Sequence, residues 1–229
     1  MKKIFLVLMI TMLFLISACS STQSNEEEEV LRNDTPITGN IEIYDSSEVL
    51  IPEEAKEAFD SAVDEGGFSG TGLEAIALLG TQTVAGTNYI YLVRKTTLTS
   101  DPVYSYALLS VYVDTEGNAT ANDLRDLVVD DITITTDTDL CGGWSMVTED
   151  VEIDYEKVFE GFTGVGYKPI AVLASQVVAG TNYLVLSLGT TVTAQPDTSL
   201  YVLKIYKDLS GNYEILDILD FDLAQALED

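Results

Sequence analysis

Gly70–Leu92 reads GTGLEAIALLGTQTVAGTNYIYL, and Gly164–Leu186 reads GVGYKPIAVLASQVVAGTNYLVL. The two segments align without a gap at an offset of 94 residues. The match runs on: Thr96 and Thr97 fall on Thr190 and Thr191, Pro102 on Pro196, Tyr112 on Tyr206, Asp114 on Asp208, and Gly117-Asn118 on Gly211-Asn212. Roughly half of the positions are identical over this stretch, which marks a duplicated structural unit and not a shared composition. At about 90 residues, each copy is long enough for a small core of its own.

Periodicity gives the elements inside a copy. IPEEAKEAFDSAVDEG (Ile51–Gly66) puts Pro52 at a helix start, acids in the first turn, Ala55, Phe59 and Val63 four apart, and Gly66 at the end. DVEIDYEKVFEGF takes that part in the second copy, with Ile153, Val158, Phe159 and Phe162 on one side. Strand-like runs follow: KPIAVLASQVV, NYLVLSLGTTV, SLYVLKIYKD and YEILDILDFDL, separated by turns at Ala179-Gly180-Thr181, Gln195-Pro196-Asp197 and Ser210-Gly211-Asn212. A helix followed by four hairpin-connected strands predicts an α+β unit, its helix packed across one face of an antiparallel sheet. The polar run TTDTDL (Thr135–Leu140) marks the boundary between copies.

Composition excludes most chemistry. With 38 acidic and 11 basic residues the formal charge is −27, yet 46% of the chain is hydrophobic. That is too apolar for a disordered acidic tail and too negative for an unaided nucleic-acid binder. The absence of histidine removes Ser-His-Asp and Cys-His nucleophile systems, His-metal sites and His acid-base chemistry together. Cys19 and Cys141 are the only cysteines, too few for a disulfide framework or a Cys-rich zinc site. The chain is expected to be no enzyme and to need no cofactor or metal. The acidic turns Asp114–Asn118 and Thr135–Leu140 lack the ligand spacing of an EF-hand and read as solvated surface.

At the N-terminus, Lys2 and Lys3 precede the apolar run IFLVLMITMLFLIS, and Ala18 precedes Cys19. This order is that of a cleaved export signal. Leu15-Ile16-Ser17-Ala18-Cys19 resembles the lipobox of bacterial lipoproteins, which implies lipid attachment at Cys19 and a membrane-anchored protein facing outside the cytoplasm. A plain secretory peptide or an uncleaved anchor is the alternative. Loss of Lys2 and Lys3 leaves 9 basic against 38 acidic side chains, a formal charge of −29. The expected organisation is a signal peptide over 1–18, an acidic tether over 19–46 carrying Glu26–Glu29, a first repeat over 47–136 and a second over 137–229. Within the tether only Ile41–Tyr44 has strand character.

Gln176-Val177-Val178-Ala179-Gly180-Thr181-Asn182-Tyr183 resembles the first-hairpin motif of the cystatin family, most closely the disulfide-free stefin type. Gln82-Thr83-Val84-Ala85-Gly86-Thr87-Asn88-Tyr89 repeats it. Leu209-Ser210-Gly211 is similar to the family's second hairpin tip, and Gly142-Gly143-Trp144 to its glycine-bearing N-terminal trunk. The first copy has no glycine pair at the trunk position, Gly39 standing too far upstream, and its second tip is the acidic Thr115-Glu116-Gly117. The resemblance implies two tandem cystatin-like units, each a helix on a sheet of four or more antiparallel strands. It also implies a monomer that reversibly occludes the cleft of a papain-like cysteine protease. The expected contacts are Gly142, Gly143, Trp144, Gln176, Val177, Val178, Ala179, Gly180, Leu209, Ser210 and Gly211, with a second site at Gln82, Thr83, Val84, Ala85 and Gly86. Two readings stay open: inhibition, or a surface interaction or structural module built on the same repeats. Trp144 serves equally as a trunk contact or a core plug. Cys141 is read as a half-buried apolar residue or a redox handle.

Overall fold

The helix predicted over Ile51–Gly66 forms as α1 (Glu53–Glu65), entered through Pro52 and closed at Gly66, whose N–H reaches Ala62 O at 2.8 Å. Its buried stripe is Ala55, Ala58, Phe59 and Ala62. The computed structural model describes residues 39–45, 49–66, 68–137 and 142–228. Around α1 lie β1 (Glu42–Ile43), β2 (Thr71–Val84), β3 (Gly86–Thr97), β4 (Tyr104–Val113) and β5 (Ala119–Asp126), an antiparallel sheet in that order. A small hairpin, β6 (Val128–Val129) and β7 (Ile132–Thr133), follows. The second half supplies β8 (Ser145–Met146), α2 (Tyr155–Val158), β9 (Val165–Val178), β10 (Gly180–Thr191), β11 (Thr198–Lys207) and β12 (Tyr213–Asp220). These five strands make a second antiparallel sheet in the order β12-β11-β10-β9-β8, and α3 (Leu223–Ala226) follows.

The expected pair of cystatin-like helix-on-sheet units is not what the chain builds. Among the described residues the fold is dominated by antiparallel sheet, 51% strand against 12% helix, with three short helices and three sheets. The largest core lies between the two five-stranded sheets. Leu79, Ile90, Leu92 and Leu108 from the first meet Leu173, Leu184, Leu186, Leu188, Leu200 and Val202 from the second. The reverse face of the first sheet, with Leu78, Tyr91, Val93, Ala107 and Leu109, receives α1. The reverse face of the second, with Val185, Leu203 and Ile205, receives no comparable helix among the described residues.

The thirteen residues DVEIDYEKVFEGF yield only the four-residue α2. Val151 and Ile153 are β-branched, Asp154 caps the turn through Lys157 N at 3.3 Å, and Gly161 takes φ +79° just beyond. An aromatic layer covers the sheet instead: Phe159 stacks on Tyr155 and Tyr167 at 6.1 and 5.8 Å, and Tyr167 meets Tyr201 edge-on at 5.6 Å.

The repeat is visible atom by atom in the pairing. Register shifts leave Ile76 and Leu79 as extra residues in β2, and Ile170 and Leu173 in β9, at the same 94-residue offset. Asn122 in β5 and Leu216 in β12 repeat the pattern. Such bulges bend and twist long strands, which lets each sheet curve over the shared core. Before the helices the offset is 103, since Glu42–Ile43 pairs with Thr81 and Gly80 as Ser145–Met146 pairs with Ser175 and Ala174. The nine-residue difference equals the difference in length between α1 and α2.

Candidate functional site at the hairpin tips of the second sheet

Three of the expected segments meet at one end of the second sheet because of strand register. Gly180 pairs with Val178 across the β9–β10 turn, and Thr181 pairs with Lys207, which brings the β11–β12 turn alongside. The trunk joins from the other flank, where Gln176 Nε2 donates to Gly142 O at 2.9 Å. Asn182 Nδ2 in turn donates to Gln176 Oε1 at 2.9 Å. The Gln176 side chain is therefore a clamp between trunk and hairpin.

What the tips present is apolar. Val177 is 75% exposed, Val178 46% and Leu209 86%, with Ala179 and Ser210 exposed between them. Gly180 itself is buried. It adopts φ +132°, and a Cβ there would stand 2.4 Å from Lys207 O and 2.8 Å from the Tyr206 ring. Its glycine is required by backbone approach within the sheet, not by a partner's surface. Tyr206 Oη donates to Ala179 O at 2.5 Å and ties the first tip to the neighbouring strand.

The second tip is held from within. Asp208 Oδ1 accepts from the N–H groups of Ser210 and Asn212 at 2.8 and 2.9 Å, and Oδ2 accepts from Asn212 Nδ2 at 2.8 Å. The Asn212 side-chain bond, then the backbone bonds, hold the Asp208 carboxyl below its ordinary value. Asp114 makes the same bonds to Glu116 and Asn118 and is lowered in the same way, so this acidic turn closes on itself.

Gly142 takes φ +79°, Gly143 is half-buried, and Trp144 packs against the central core with Lys204 Nζ 5.6 Å over its ring. Trp144 thus serves the core more than the tip. Cys19, Leu140 and Cys141 lie outside the described residues.

The first sheet repeats the frame with different chemistry. Gln82 Nε2 donates to Gly39 O at 2.7 Å, Asn88 Nδ2 to Gln82 Oε1 at 2.8 Å, and Tyr112 Oη to Ala85 O at 2.5 Å. Gly39 is the structural counterpart of Gly142, which the 94-residue alignment hides because the two helices differ by nine residues. Thr83 and Ala85 are exposed, Val84 and Gly86 half-buried, and the neighbouring turn offers Thr115 and Glu116 in place of Leu209 and Ser210. Among the described residues the tip ends carry no nucleophile–base pair. Among the described residues no group of three or more carboxylates or cysteines is placed to hold a metal, and no helix is long and apolar enough to cross a membrane. Neither a protein-family model nor a curated protein matches the chain.

Proposed function

We propose that the protein is a non-catalytic inhibitor, lipid-anchored outside the cytoplasm through Cys19, that inserts the tips of its second sheet into the active-site cleft of a papain-like cysteine protease. The observation that carries this reading is the row of Val177, Val178 and Leu209, three exposed aliphatic side chains at two adjacent, internally braced hairpin ends with the Gly142-Gly143 segment tied in beside them. Braced loops lose little conformational freedom on binding, so a small apolar row can hold a partner without any titrating group. A standard interface of roughly 1,600 Å² in total would suffice. A non-inhibitory binding module draws support from the first sheet, where the same Gln–Gly–Asn clamp braces a tip lacking the aliphatic row.

Titration of papain and related enzymes with the full chain tests the proposal. Reversible inhibition is expected, weakened at least tenfold by Val177→Asp or Leu209→Asp, whose side chains are exposed at the hairpin ends and outside every core cluster; tenfold corresponds to about 1.4 kcal/mol. No inhibition across the panel at high micromolar protein overturns the inhibitor reading in favour of the module.

A further inference from the structure

The two halves of the duplication place their basic residues differently. In the first half Lys56 is paired with Asp60, Arg94 with Glu74, Lys95 with Asp126 and Arg125 with Asp123, so every described base there has a carboxylate. The three in its sheet lie at the end away from the tips. At the offset of 94 those three become Leu188, Gly189 and Leu219. The second sheet has its own bases: Lys168 at the far end, and Lys204 and Lys207 in the tip-proximal part of β11, where the first sheet has Ser110 and Val113.

Lys204 and Lys207 make no ion pair among the described residues, in a chain with 38 acidic side chains against 11 basic ones. Each ammonium rests on a ring instead, Lys204 Nζ 5.6 Å over Trp144 and Lys207 Nζ 5.3 Å over Tyr213. The neighbouring acids are engaged elsewhere. Asp217, opposite Lys204 across the β11–β12 pair, accepts from Ile218 N at 2.9 Å, and Asp208 is spent on Ser210 and Asn212. The Tyr213 hydroxyl, and after it Tyr183 and Glu152, push the Lys207 pKa up, so this ammonium stays charged.

The rings fix where the two charges stand. Trp144 follows Gly142-Gly143 and packs on the core between the sheets, whereas Tyr213 follows the Leu209 turn and packs on the reverse face. The ammonium groups therefore flank the row of Val177, Val178 and Leu209 from opposite faces of the sheet. A ring restrains a long side chain without neutralising it and leaves ammonium N–H donors for an outside acceptor.

We propose, resting on the inhibitor reading, that Lys204 and Lys207 determine which protease is bound: the target carries carboxylates on both walls of its cleft rim, and the lysines meet them as the aliphatic row enters. Charges at the edge of an interface set partner choice more than raw affinity. The first sheet's tip, with Ser110, Val113 and the acidic Glu116, lacks this pair of charges.

The test uses papain in two engineered forms, one with a glutamate on each wall of its cleft rim and one with a lysine at the same positions. The readout is a coupling: the fold loss of inhibition on Lys204→Gln or Lys207→Gln with the glutamate form, divided by the loss with the lysine form. Roughly threefold or more is expected for each at low salt, within the range of exposed ion pairs, falling toward one at about 0.5 M salt. Lys56→Gln, the same charge change on α1, should give a coupling near one and so removes the long-range effect of net charge. Lys→Arg at either position should preserve the coupling, and unchanged Trp144 fluorescence checks that Lys204→Gln leaves the fold intact. Couplings no larger than that of Lys56→Gln overturn the proposal, as does a loss on Lys→Arg equal to that on Lys→Gln, which would assign the lysines to packing on their rings. Inhibition of both forms without coupling overturns this inference alone; inhibition of neither by the wild type overturns the inhibitor reading and this inference with it.

Discussion

Asp208 shows how one carboxylate prepares a turn for contact. It takes three hydrogen bonds from Ser210 and Asn212, and these bonds are what leave Leu209 held out in solvent. Because those bonds favour the charged form, the folded carboxyl titrates below the 3.8 of a free aspartate. The order they confer is fully present above that ordinary value and is lost as pH falls through the depressed one. Asp208→Ala should therefore speed amide exchange at Ser210 and Asn212 by about tenfold or more while leaving core amides unchanged, and the Asp208 carboxyl followed by NMR should titrate below 3.8. A wild-type midpoint at or above that value removes the argument. Gly180 marks where residue type was legible and its reason was not. The sequence shows a turn glycine; only the register shows that Lys207 O, and not a partner, forbids a Cβ there.

Elements were legible where local rules act alone. Pro52, the acids at Glu53 and Glu54 and the four-residue spacing give α1 its boundaries almost to the residue. The same reading overextends α2, because Ile153, Phe159 and Tyr167 gain more by joining the aromatic layer than by prolonging a helix. The Gln clamp was invisible for a related reason: it joins residues 34 apart in one half and 43 apart in the other, and no local pattern reports it. Its energetics can be bounded. Gln176→Ala strands Asn182, which is 8% exposed and whose Oδ1 already lacks a partner among the described residues. A buried amide left unmet costs about 1–3 kcal/mol. Urea denaturation should show a loss in that range for Gln176→Ala and a comparable loss for Gln82→Ala. Losses below about 0.5 kcal/mol in both, the level of an ordinary surface change, would reduce the clamp to a decoration.

At the scale of the molecule, the deciding feature is that both faces of each sheet are covered, and the sequence carries its trace. Ile90–Val93, Ala107–Leu109, Leu184–Leu186 and Val202–Leu203 are unbroken apolar runs, whereas a strand with one wet face alternates. Read as ordinary half-buried strands, they suggest one helix per sheet. Read by the run, they require a second layer, which is the other half of the duplication. Apolar runs do not say which partner covers them, so the sheet-on-sheet core became visible only in three dimensions. A shared core makes stability common property. Leu92 lies fully buried in the first half, and Trp144, the chain's single tryptophan, packs on the same core from the second. Leu92→Ala should cost about 2–5 kcal/mol, the usual range for a leucine cavity. Trp144 fluorescence and backbone circular dichroism should then shift together, in one transition with coincident midpoints. If Trp144 kept its wild-type midpoint while half of the circular dichroism signal melted early, the two halves would be folding separately and the interface between their sheets would be adhesive surface instead of core.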